Sequence, residues 1–190
     1  MLVLVVGAVM KFKGSSKTEG FVYHGKGGDY RIDVVNRPDL NVTLYYVHAR
    51  FGDQNVVFPL RNAPDDVTGV YFGDGVLDAV GKRVVYVTRD AELIEEVGGY
   101  ANVAASEFEK VLKYSGIKIF PALTVKDESR PLYAQASCGN VSKGVGVVYM
   151  KLGDDDRVYV DDGCVIVEGK DRDGLIKSAD RISYVLLGVL

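Results

Sequence analysis

Few side chains in this 190-residue chain are of the types that do chemistry: two histidines, two cysteines and some runs of aspartate. His24 stands just before Gly25-Lys26-Gly27-Gly28, where flexible backbone amides and one lysine could cradle a phosphate. A nucleotide-type phosphate loop needs Gly-Lys-Ser or Gly-Lys-Thr opening a helix. Here Asp29-Tyr30-Arg31 opens an alternating run instead, and glycines between two such runs are ordinary hairpin chemistry. His48 lies on the Leu44-Tyr46-His48-Arg50 face of its own run, either as a general base or as a solvated strand residue. No acid, thiol or serine signature stands beside it in sequence, and nucleophilic catalysis needs a positioned partner. A small hydrolase or phosphate-handling enzyme using His24, Lys26 and His48 is therefore the second reading of this chain.

The metal candidates are Asp154, Asp155, Asp161, Asp162, Asp171 and Asp173, in three acidic turns. Hard cations such as Ca²⁺ take clustered carboxylate and carbonyl oxygens, and three such turns at one end of a sandwich would converge on one ion. None follows the helix-flanked calcium loop, which closes on a glutamate. Aspartate is also favoured in turns because it bonds its own backbone, so solvated turns are preferred and no cofactor is expected. Cys138 and Cys164 form either one disulfide or two small buried hydrophobes, since their separation carries no signature. Asn41-Val42-Thr43 and Asn140-Val141-Ser142 are glycosylation sequons, which matter only on a secreted surface.

The elements that must position these residues read mostly as strands. Residues 29–35 are apolar at even positions and charged at most odd ones, and residues 117–125 carry Ile117, Ile119, Pro121, Leu123 and Val125 on one face. Period-two alternation means half-buried strands, because successive side chains leave a strand on opposite faces. Valine is the commonest residue, and β-branched side chains suit a pleated sheet. Strands are expected over 2–13, 20–25, 29–36, 42–51, 55–61, 68–72, 82–88, 117–125, 131–137, 145–152, 157–160, 163–168 and 181–189, with turn residues between them. Residues 2–9, apolar on both faces, read as a buried first strand rather than a signal or a membrane span. In the middle, Asp90 is placed to cap a short helix ending at Gly98-Gly99, and Ser106 with Glu109 forms a capping box before Phe108, Val111 and Leu112. One main helix near residues 104–116, ended by Gly116, packs on the sheet; a parallel strand–helix–helix–strand crossover over 83–121 is the alternative. The expected fold is mainly β, an antiparallel β-sandwich or jelly-roll-like single compact domain over 1–190.

Residues 132–141, 148–154 and 158–167 hold a longer likeness. Leu132 to Val141 is an apolar strand ending in Ser137-Cys138-Gly139, Val148 to Asp154 runs into a Leu152-Gly153 turn, and Val160-Asp161-Asp162-Gly163 makes a hairpin. This resembles the closing half of the AIM24 family, over roughly a quarter of the chain. The helix expected at 107–115 and the unmatched residues 1–80 depart from that pattern. The resemblance implies a β-sandwich of duplicated halves, oligomeric, with no catalytic residues to carry over.

Net charge is −3 and no basic stripe with interleaved aromatics occurs, which disfavours nucleic acid as a partner. Scarce methionine and cysteine fit a thermophile. The leading reading is a non-enzymatic assembly or binding module, self-associating through apolar strands, soluble, without a membrane partner and cytoplasmic. A secreted or virion coat subunit, hence an extracellular place, is the further alternative. A homo-oligomer is expected because the closing run Ile182 to Leu190 is apolar on both faces, with neither charge nor proline to guard it.

Overall fold

The computed structural model describes residues 18–190; the strand expected over 2–13, and its buried part at 2–9, lies outside them. The described chain is mainly β. Its strands are β1 (Thr18–Gly25), β2 (Gly28–Arg37), β3 (Val42–Phe51), β4 (Gln54–Leu60), β5 (Tyr71–Phe72), β6 (Val84–Arg89), β7 (Lys118–Leu123), β8 (Ala134–Gln135), β9 (Val145–Leu152), β10 (Arg157–Asp161) and β11 (Cys164–Gly169). Its helices are α1 (Val76–Val80), α2 (Ala91–Val97), α3 (Gly99–Tyr114) and α4 (Arg172–Leu186). The runs expected as strands at 29–36, 42–51 and 145–152 are strands.

Two sheets result. Strands β1 to β4 form an antiparallel meander in chain order, joined by tight turns at Lys26-Gly27 and Gly52-Asp53. The seven-stranded sheet runs β5-β10-β11-β9-β6-β7-β8, and all its pairs are parallel except the β10–β11 hairpin. The antiparallel arrangement thus belongs to the meander and that hairpin, and the crossover alternative over 83–121 is what links β6 to its parallel neighbour β7 through α2 and α3.

The helix expected at 104–116 is present inside α3, which ends where Gly116 takes φ +80°. Its start differs. Ala101, Ala104 and Ala105 extend the apolar stripe back to Gly99, so Ser106 sits mid-helix and donates to the Val103 carbonyl rather than capping (3.0 Å). The expected strand at 181–189 is the larger correction: residues 181–186 are the last part of α4, and the rest follow it as a turn. Asp171 caps that helix by accepting from the Gly174 N–H (2.8 Å), and Leu175, Ile176, Ala179, Ile182 and Tyr184 bury its apolar side. Val189 and Leu187, beyond the helix, are buried too. The apolar closing run is therefore covered by its own chain, and the exposed edge that motivated a homo-oligomer does not exist.

One core joins both sheets. Helices α3 and α4 pack side by side on the seven-stranded sheet, and the inner face of the meander, with Ile32, Val47, Phe58 and Leu60, closes over their C-terminal halves. Tyr114 at the end of α3 meets the Phe58 ring edge-on (5.5 Å), and the Tyr30 hydroxyl donates to the Leu187 carbonyl (2.9 Å). Gly169 allows α4 to start tight against β11, for a Cβ there would lie 2.0 Å from the Leu175 nitrogen. Among the described residues no α-helix packs in this way on the opposite face of the large sheet; the turn at Cys138–Asn140 covers Val147, Cys164 and Ile166.

Candidate functional site

Register places both histidines on the outer face of the meander. His24 stands opposite Asp29, and their Nδ1 and Oδ1 atoms are 2.7 Å apart in full solvent exposure. His48 Nε2 lies 2.8 Å from Asp33 Oδ2, while the Arg31 Nε donates to the other oxygen of Asp33 (2.9 Å). Those two bonds, Arg31 first, hold the Asp33 carboxyl below the usual range. Lys26 occupies the β1–β2 turn, and its N–H donates to the Val189 carbonyl (3.3 Å). A shallow hollow of about 420 Å³ includes Asp29, His48, Arg50 and Asn55, but neither His24 nor Lys26. The two histidines thus share a face without converging on one reacting position.

The acidic turns separate. Asp154 and Asp155 lie after β9 and Asp171 and Asp173 after β11, at the carboxyl ends of two parallel strands. Asp161 and Asp162 turn the β10–β11 hairpin at the other end of the sheet. Asp171 serves as a helix cap, and Asp173 pairs with Arg172. Among the described residues no three His, Cys, Asp or Glu side chains are grouped to hold a metal ion. Cys138 and Cys164 form a disulfide, their Cα atoms 5.2 Å apart, which pins the Cys138–Asn140 turn onto the open sheet face.

A polar row unforeseen from the sequence crosses that face at the carboxyl ends of the strands. Chain order reverses between β6 and β9, the place where open α/β sheets bind ligands. There Asp90 accepts from the Thr124 and Tyr149 hydroxyls, one to each oxygen. Burial, then the bond to Asp90, raises the Tyr149 phenol far above its ordinary value. Further along, buried Glu168 accepts from Arg157 (2.9 Å), Lys151 (3.1 Å) and the Tyr159 hydroxyl (3.1 Å). Burial alone would raise the Glu168 carboxyl, but those three partners outweigh it and hold it low. The bond to Glu168 in turn raises Lys151 and Arg157. Tyr149, Lys151, Arg157 and Glu168 therefore keep the charges they carry in neutral water, and none is a base poised near neutrality.

A larger concavity is a groove of about 590 Å³ between α3 and the outer edge of β7. Ser106, Glu109, Lys110 and Lys113 line it at helical spacing along one face of α3, and Ile117 to Pro121 form its floor and far wall. Phe120 is 45% exposed there and leans on Tyr86 of β6, with ring centroids 5.7 Å apart. Burial raises the Glu109 carboxyl. Lys110, Lys113 and Lys118 have no ion-pair partner among the described residues.

Among the described residues no helix is long and apolar enough to cross a membrane. Set against family models, curated proteins and solved structures, the chain has no match.

Proposed function

We propose that the chain is a non-enzymatic binding module that engages its partner at the groove between α3 and β7. The observation carrying this reading is the pairing of an apolar floor with three lysines, Lys110, Lys113 and Lys118, that make no ion pair among the described residues. Its volume falls within the roughly 300–1,000 Å³ of small-molecule sites. The charged groups of the polar row and of the His48 face are already committed: Glu168 to Lys151 and Arg157, Asp33 to Arg31 and His48, Asp90 to two hydroxyls. Committed pairs hold a fold together, whereas free charge beside apolar surface recruits a partner.

The enzyme alternative keeps one supporting observation, the two histidine–aspartate pairs on a common face. Hydrolysis of p-nitrophenyl phosphate and p-nitrophenyl acetate by the wild type and by a His24→Ala, His48→Ala variant separates the two. The module reading expects no turnover above buffer in either protein. Turnover that disappears in the variant would make the chain a hydrolase. The Cys138–Cys164 bond favours an oxidising compartment, or the cytoplasm of a thermophile, over an ordinary reducing cytoplasm.

A further inference from the structure

Successive residues of a strand turn their backbone groups toward alternate neighbours. In β7 the Lys118 N–H donates to the Arg83 carbonyl and the Thr124 N–H to the Arg89 carbonyl, both at 3.1 Å, so the even-numbered residues face β6. Ile119, Pro121 and Leu123 turn theirs outward. The Leu123 carbonyl accepts from the Ala136 N–H (3.0 Å), and β8 pairs only with Ala122 and Leu123. Beside Ile119 and Pro121 the edge has no neighbouring strand among the described residues. The groove described above is the channel between this open edge and α3.

Charge decides what can fill it. A second copy paired along the same edge would bring the Lys113 and Lys118 of both copies close together, and like charges across a strand pair are destabilising. Pro121, which has no N–H to offer, adds to that guard. The chain's own residues 1–17 contain no acidic side chain and carry Lys11, Lys13 and Lys17, so their sequence offers the groove's lysines no complementary charge. An acidic strand satisfies both the lysines and the outward backbone: the Ile119 N–H and the Ile119 and Pro121 carbonyls are free to pair, and Phe120 offers apolar contact.

Resting on the module reading, we propose that the partner is an extended acidic peptide, which adds to the seven-stranded sheet as a strand beside β7. The test titrates fluorescein-labelled peptides into the full chain and reads anisotropy. One peptide alternates valine with glutamate, one alternates valine with lysine, and one is the valine–glutamate peptide N-methylated at every residue. The valine–glutamate peptide binds, the lysine peptide does not, and full N-methylation abolishes binding. A Lys113→Glu, Lys118→Glu variant, with unfolding unchanged, weakens binding by roughly tenfold or more. Binding that survives N-methylation would reduce the interaction to charge alone and overturn strand addition, as would no binding by the valine–glutamate peptide. A dimer in light scattering that the double variant disperses would assign the edge to a second copy, and also overturns the proposal. A failed titration beside a silent hydrolysis assay removes strand addition and leaves the module reading standing.

Discussion

Asp180 of α4 and Glu107 of α3 are both buried in the interior of the protein, and one oxygen of each, Asp180 Oδ1 and Glu107 Oε2, finds no hydrogen-bond partner among the described residues. Asp180 accepts from the Arg61 N–H (3.1 Å), the Asn62 N–H (2.8 Å) and the Asn62 side-chain amide (2.8 Å), and Glu107 accepts from the Arg61 guanidinium (3.0 Å). Like charges buried beside one another do not both ionise. The bonds to Arg61 and Asn62 tie both long helices to the segment that follows β4.

Burial raises both carboxyls, that of Asp180 well above its usual value with Glu107 as the next cause. The folded protein therefore holds a proton that the unfolded chain releases. The pair's contribution to stability is whole below the unfolded carboxyl range near 4 and is lost as pH rises through the raised folded values. Denaturant unfolding followed from pH 5 to 8 should show stability falling by about 1 kcal/mol or more, and Asp180→Asn should flatten that slope. A wild type with no slope would refute the retained proton.

Glu168 works in the opposite direction. Its folded carboxyl is held low, so its contribution is present above the unfolded range and is lost as pH falls through the folded value. Glu168→Ala leaves Lys151 and Arg157 without their partner and should cost about 3 kcal/mol at neutral pH, read from chemical unfolding. An unchanged midpoint would show the cluster to be ornamental.

The segment joining the two helices' sheet depends on a close backbone approach. Gly169→Ala places a Cβ within 2.0 Å of backbone at the start of α4, where no side chain can yield. A loss of about 2–3 kcal/mol in chemical unfolding is expected. Wild-type stability in that variant would mean that α4 does not begin where the cap at Asp171 puts it.

Reducing the Cys138–Cys164 bond, which closes a separation of 26 residues, should cost about 3.5 kcal/mol by the loop-entropy estimate. Thermal melting with and without a dithiol reductant, with thiols counted by mass spectrometry, reads this directly. Equal melting temperatures after full reduction would contradict it.

How far the sequence leads is visible in α3 and α4. The meander was legible because its runs alternate within a single strand, and β3 covers the expected 42–51 to the residue. Helix α4 was not, because Ile182, Tyr184, Val185 and Leu186 form a short apolar run, and such a run has no period that tells a buried strand from a buried helix. The deciding marks lie upstream, in Asp171 with Gly174 and in Leu175, Ile176 and Ala179 at helical spacing. The histidine face followed from alternation alone. The Asp90–Tyr149 contact and the open edge of β7 did not, for each depends on which distant strands become neighbours.

The most direct measurement is amide hydrogen exchange at Ile119 in the isotope-labelled full chain, with and without the valine–glutamate peptide. Ile119 is the outward-facing donor of the open edge, so the peptide should slow its exchange while the amides of the His24 and His48 face stay unchanged. Unaltered exchange at Ile119, with peptide-induced protection centred on the histidine face instead, would contradict the account.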